Sequence, residues 1–291
     1  MKKPLLLSIM ILFLLLSTSC STKRNTTDKS DKTEQPKEFQ TVFTNLNGEQ
    51  ARSEVIKAMK DANLSYVDQF IQWVDEFNQG LGQETGLADS WTNLDTQAYQ
   101  DEKIAANWKR NHEDLDTNSR LAVFLLLQNE LQADDKKSYG LSIMNDIDEL
   151  EYNLRYERLR PKIDQYIALF DEVTIKSDKS PTSSERTYIK EWKKRNVVYR
   201  KSKASLISVI CTDPKEQIAY VAHAGILIEI ENYLLFIEKL GRNRPYQVTK
   251  FQDRASLKEE LLERRDYESS SAKTPPFLLE NATEYGDKLS R

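Results

Sequence analysis

The chain has 291 residues, with 42 Lys and Arg against 46 Asp and Glu, and only two His and two Cys. That balance offers no basic footprint for nucleic acid, and two histidines with two cysteines cannot supply a zinc cluster of the usual kind, so no nucleic-acid partner, metal or cofactor is expected. The length carries one large domain or two small ones.

In chain order, the N-terminus gives an address first. Lys2 and Lys3 precede an apolar run from Leu5 to Leu16, followed by Ser17, Thr18, Ser19 and Cys20. A positive, then apolar, then small-residue order is that of an export signal, and the apolar run is too short to span a bilayer. A cysteine directly after the small residues matches a bacterial lipoprotein signal. Residues 1–19 are therefore expected to be removed, and lipid on Cys20 to hold the chain on the extracytoplasmic face of the cell membrane. Losing Lys2 and Lys3 makes the mature chain more acidic. With Cys20 lipidated, Cys211 is the one cysteine left, so no intrachain disulfide is expected; so few cysteines in an exported chain suits a Gram-positive surface. From Ser21 to Glu38 the sequence STKRNTTDKSDKTEQPKE has no aliphatic or aromatic residue. It has nothing to bury, and residues 20–38 read as a flexible tether ahead of a single domain over 39–291.

The first half of that domain reads as helices. Val67, Phe70, Ile71, Val74 and Phe77 recur at helical spacing between Ser65 and Asn78, with Ser65 as a candidate cap and Gly80 and Gly82 as breakers. Further helices are expected at Glu49–Ala62, Asp101–Asn111, Asn118–Leu131, Pro161–Glu172 and Ser183–Arg195. After Val197 the pattern changes. Ser205–Cys211, Ile218–His223, Ile226–Glu231 and Tyr233–Leu240 are short, rich in β-branched and aromatic residues, and separated by TDPKE, Ala-Gly and Glu-Asn, which predicts an antiparallel meander. A last helix is expected from Ser256, with Glu259 completing a capping box ahead of Leu261 and Leu262. Helices followed by a sheet define an α+β domain: a helical half with a central buried helix, packed on a C-terminal antiparallel sheet. The alternating βαβ pattern of transporter binding lobes is absent.

Two features bear on chemistry. The string Thr117-Asn118-Ser119-Arg120 opens LAVFLLLQ, apolar nearly all round and so a central helix. Ser119 stands at a helix N-terminus, where main-chain N–H groups favour a nucleophile or an anion; equally, Thr117, Asn118 or Ser119 caps the helix. The second feature is Ala222-His223-Ala224-Gly225 inside the sheet. His223 can serve as a general base, with Gly225 allowing close approach, and Glu238 on the next strand can orient the ring. The structural alternatives are a hydrogen-bonded core histidine and a Glu238–Lys239 pair facing solvent.

The string His223-Ala-Gly-Ile-Leu-Ile-Glu, followed by LLFIEKL, Pro245-Tyr246-Gln247 and Lys250-Phe251, resembles the C-terminal part of a Gram-positive bacterial lipoprotein family of unknown function, of streptococcal type. Upstream, Trp108, Thr117–Arg120 and Phe124–Leu127 resemble the same family, so the likeness covers most of the chain beyond Asn45. The resemblance implies cysteine at the position of Ser119. Cysteine at a helix start, histidine on a later strand and a polar residue on the next is the order of papain-like and NlpC-type hydrolases. By that correspondence Ser119 is the nucleophile position, His223 the base and Glu238 its orienter. A thiol with an ordinary pKa of about 8.5 ionises readily beside a helix N-terminus and an imidazolium, whereas a hydroxyl stays protonated. The implied function is a surface-anchored protein with a hydrolase-like cleft, inactive or altered at Ser119, that binds a peptide or cell-wall fragment. The alternative is a structural or ligand-binding lipoprotein with no ancestral active site. Cys211, at a strand end, is expected in the core.

Overall fold

The computed structural model describes residues 39–286 apart from 83, 113–114, 135, 176–180, 201, 265–266 and 268–274. The signal segment, Cys20 and the tether lie outside the described residues.

Eight helices are found among the described residues: α1 (Glu49–Asp61), α2 (Val67–Leu81), α3 (Asp101–Asn111), α4 (Ser119–Leu127), α5 (Met144–Tyr152), α6 (Ile163–Phe170), α7 (Pro181–Lys194) and α8 (Arg254–Glu263). The strands are β1 (Val42–Thr44), β2 (Thr92–Asn93), β3 (Leu131–Gln132), β4 (Val173–Thr174), β5 (Val198–Tyr199), β6 (Ala204–Asp213), β7 (Ile218–Ile230), β8 (Tyr233–Lys239), β9 (Tyr246–Phe251), β10 (Phe277–Glu280) and β11 (Thr283–Glu284). The main sheet runs β11-β10-β6-β7-β8-β9-β1-β2, with β4 against the start of β7, and every pairing is antiparallel. The fold is α+β. Strands β3 and β5 form a separate ribbon.

The sheet is covered on both faces. Leu206, Ile210, Ile226, Ile228, Leu235 and Ile237 face the larger core, which the helices before the sheet complete. Ile207, Val209, Leu227, Leu234 and Phe236 face the other way, onto Leu257 and Leu261 of α8. Strands buried on both sides cannot alternate apolar with polar, and β8 accordingly reads YLLFIEK. Helix α4 is the central one: Leu121 through Leu127 are all nearly inaccessible. Cys211 is buried in the smaller core, as its position predicted.

Several boundaries differ from the sequence reading, each for a local reason. Ala224 and Gly225 are not a turn: Ile218–Ile230 is one strand, and the register against β6 shifts so that Val209 faces His223 while Ile210 faces Val221. Ala222 is thus the extra residue of a β-bulge. The α4 helix stops at Leu127, and Leu131 goes into β3. Ser65 does not cap α2; its N–H donates to the Leu126 carbonyl, and Tyr66, in the left-handed region at φ 46°, precedes the helix. Gly82, at φ 71°, follows α2, while Gly80 lies inside it. In α8 the capping box uses Asp253 and Ser256 rather than Ser256 and Glu259, so the helix begins at Arg254. Helix α5 was not anticipated, nor was the pairing of the N-terminal β1 with β9.

Gly225 has a steric reason. A Cβ at this position would lie 2.1 Å from Cζ of the fully buried Phe236 on β8. Gly225→Ala should therefore cost about 1–3 kcal/mol by overpacking, read as a lower urea midpoint at unchanged m-value, and Phe236→Leu in the same chain should return part of it.

Candidate functional site

Between β4, which pairs with Ile218 and Ala219, and β8, which pairs from Gly225 onward, one edge of β7 has no strand neighbour. Unpaired main-chain groups in a buried sheet are costly, and the N-terminus of α4 supplies the missing partners. The Ser119 hydroxyl accepts from the Ala224 N–H at 3.2 Å, and Arg120 Nη1 donates to the Val221 carbonyl at 2.8 Å.

Every residue of the 117–120 string is engaged. Thr117 Oγ1 lies 2.9 Å from the Tyr156 hydroxyl. Asn118 is the N-cap: its Oδ1 accepts from the Leu121 N–H, and its Nδ2 donates to Asp146 Oδ1. The Arg120 guanidinium grips Asp146 Oδ2 through Nε at 2.8 Å and Nη2 at 2.6 Å. Burial alone lowers the pKa of Arg120, but the Asp146 charge and Tyr166 outweigh it and raise it above the ordinary arginine value. Asp146 also accepts from Tyr166 at 2.7 Å and from Arg242 at 2.9 Å.

His223 and Glu238 come together. His223 Nε2 lies 2.7 Å from Glu238 Oε2, and beside a carboxylate the ring nitrogen is the donor. Arg264, just past α8, completes the group, with Nη1 at 2.6 Å from Oε2 and Nη2 at 2.8 Å from Oε1 of Glu238. Burial pushes Glu238 up, but the Arg264 charge and the hydrogen bonds from His223 and Arg264 prevail and bring it down to about 2. Glu238 and Lys239 do not face solvent; both are inaccessible on opposite faces of β8. Lys239 Nζ donates to Asp116 Oδ2 at 2.6 Å and lies 3.8 Å above the Phe77 ring. Burial lowers Lys239 to about 8 against the pull of Asp116.

Ser119 is not hydrogen-bonded to His223. The hydroxyl meets the main chain one residue further on, and the ring meets Glu238. All three predicted residues thus border one stretch of β7, two of them joined and the third held by backbone. Sequence reasoning missed Asp146 and Arg264: the first lies on the unanticipated α5, and the second, in a charged run ERRD, carries no signal of burial.

The α+β domain, with a central helix inserted at a gap in a two-sided antiparallel sheet, defines the class. Residues 42–284 match the model of the Domain of unknown function (DUF4300), and the chain belongs to that family. No curated protein and no solved structure matches the chain. Among the described residues there is no cluster of three or more side chains able to hold a metal ion, and no helix long and apolar enough to cross a membrane.

The buried ion pair fixes a pH signature. The folded value of Glu238, about 2, lies below the ordinary 4.5, so its stabilisation is full above about pH 4.5 and is lost as pH falls toward 2. Glu238→Gln should cost about 3–5 kcal/mol at pH 7 by leaving Arg264 buried without its carboxylate, and should flatten stability across that acid window. Urea unfolding at stepped pH measures both; parallel profiles for the two proteins would assign the acid loss to another group.

Proposed function

We propose that this protein is an extracytoplasmic lipoprotein, anchored through lipid on Cys20, whose DUF4300 domain works by binding and not by hydrolysis. The anchor rests on the order Lys2-Lys3, apolar run, small residues, Cys20. The non-hydrolytic reading rests on one observation: the Ser119 hydroxyl is occupied by the Ala224 N–H, while His223 is held by Glu238. A serine nucleophile needs its base within hydrogen-bond reach, because the hydroxyl does not ionise unaided. Ser119 instead behaves as a joint between α4 and β7. The chain order Ser119, His223, Glu238 and their shared neighbourhood are what an altered cysteine-hydrolase ancestor would leave, and that descent is the second reading.

Two experiments address the two halves. Cys20→Ala should move the protein from the membrane to the soluble fraction; unchanged retention sinks the anchor. For the site, Cys211→Ala removes the other thiol of the mature domain, and Ser119→Cys then reports alone. At a position only 4% exposed and without a bond to His223, the new thiol should be alkylated no faster than a model thiol near neutral pH, with or without His223→Ala. Fast alkylation that depends on His223 would instead establish the imidazole–thiol pair of a hydrolase.

A further inference from the structure

A cavity of about 460 Å³ opens between α2, the end of α3 and the segment following α5, on the helical side of the domain and away from Ser119 and His223. Its lining includes Trp108 and Arg155. Arg155 is aimed by its surroundings: Nη1 donates to Glu76 Oε1 at 2.8 Å, and the guanidinium lies 5.4 Å from the Trp73 ring centroid and 5.9 Å from that of Trp108. Its other two nitrogens, Nε and Nη2, are buried and have no hydrogen-bond partner. They form one edge of the planar guanidinium, the edge that a carboxylate engages with two parallel bonds.

Trp108 adds a third donor of the same kind. It is only 2% exposed, and Nε1 has no partner. The indole cannot swing freely, being stacked on His112 at 3.6 Å and on Phe77 at 5.1 Å. Buried donors without acceptors are costly, and three of them on two residues lining one cavity create a demand for an acceptor. The rest of the lining suits a peptide. Gln69, Gln72, Asn111 and Asn153 present side-chain amides, which pair with amide N–H and C=O groups, and the exposed Leu115 is an apolar neighbour for a small side chain.

We propose that this cavity binds the free C-terminal carboxylate of a short peptide, with Arg155 Nε and Nη2 gripping the two carboxylate oxygens and the amides of α2 and α3 holding the preceding peptide group. The assignment builds on the reading of the domain as a binding module, and it gives that module a site and a ligand class.

The test uses the full chain in detergent, with N-acetyl-alanyl-alanine and its C-terminal amide as probes, followed by titration calorimetry and by the fluorescence of the tryptophans lining the cavity. The acid should bind and the amide should bind at least tenfold more weakly. Arg155→Lys keeps the charge but loses the two-pronged edge and should weaken the acid tenfold or more. Gln72→Ala, on the exposed face of α2, changes no core contact and should weaken it severalfold at unchanged melting temperature. Equal binding of acid and amide, no binding of either at millimolar concentration, or wild-type affinity in both variants overturns the proposal. The anchor and thiol experiments read neither probe, so their failure is distinguishable from this one.

Discussion

A carboxylate with almost no contact with water must be met by donors, and in this domain Asp146 is the place where that demand organises the chain. Its two oxygens are shared by Asn118, Arg120, Tyr166 and Arg242, which come from the start of α4, from α6 and from the connection between β8 and β9. Removing any one donor leaves charge uncompensated in low dielectric, so the elements are tied more tightly than their apolar contacts alone require. The consequence is positional. With Asn118 and Arg120 fixed on Asp146, the first turn of α4 cannot rotate, and Ser119 and Arg120 are delivered to the β7 edge that lacks a strand.

That delivery explains the chemistry of the string. A gap of a few residues in a covered sheet leaves an N–H and a C=O without ladder partners, and Ser119 and Arg120 provide one acceptor and one donor at the matching places. A hydroxyl is a better acceptor than a neutral thiol, so serine suits a joint of this kind better than the cysteine that the family likeness implies. The bulge at Ala222 has a complementary role. By inserting one residue it reverses which side chains face which layer: Val221 and, after the extra residue, Ala224 both face the larger core, and the intervening His223 meets Glu238, which lies on the α8 side with Leu234 and Phe236.

The parts legible in the sequence were those set by pattern over many residues. The all-round apolar LAVFLLL announced a central helix, and the short β-branched runs announced the sheet. LLFIEKL carried a further message: a strand apolar on both faces has no solvent side, so Glu238 and Lys239, which point in opposite directions, must both be buried and both be paired. Their partners were not legible. Arg264 follows Glu238 by 26 residues and Asp116 precedes Lys239 by 123, separations that leave no periodic trace. The bulge was illegible for a different reason, since Ala-Gly within an apolar run reads equally as a two-residue turn or as a place where a ring such as Phe236 packs on the backbone.

The two ends of the molecule differ in how fully their polar groups are satisfied, and this difference bears on where binding resides. At the joint, no side-chain polar atom of Asn118, Ser119, Arg120, Asp146, His223 or Glu238 is buried without a hydrogen-bond partner. Such a set is already at its minimum, and a ligand there would have to break bonds before making its own. On the α2–α3 side Trp108 Nε1 and two nitrogens of Arg155 are buried without partners, held in place by stacking rather than by hydrogen bonds. Stacking fixes orientation without consuming donors, so these groups are preorganised and unspent. A site of that kind gains from an acceptor the full value of bonds that folding left unmade, which places the capacity for recognition with the helices and the structural burden with the sheet.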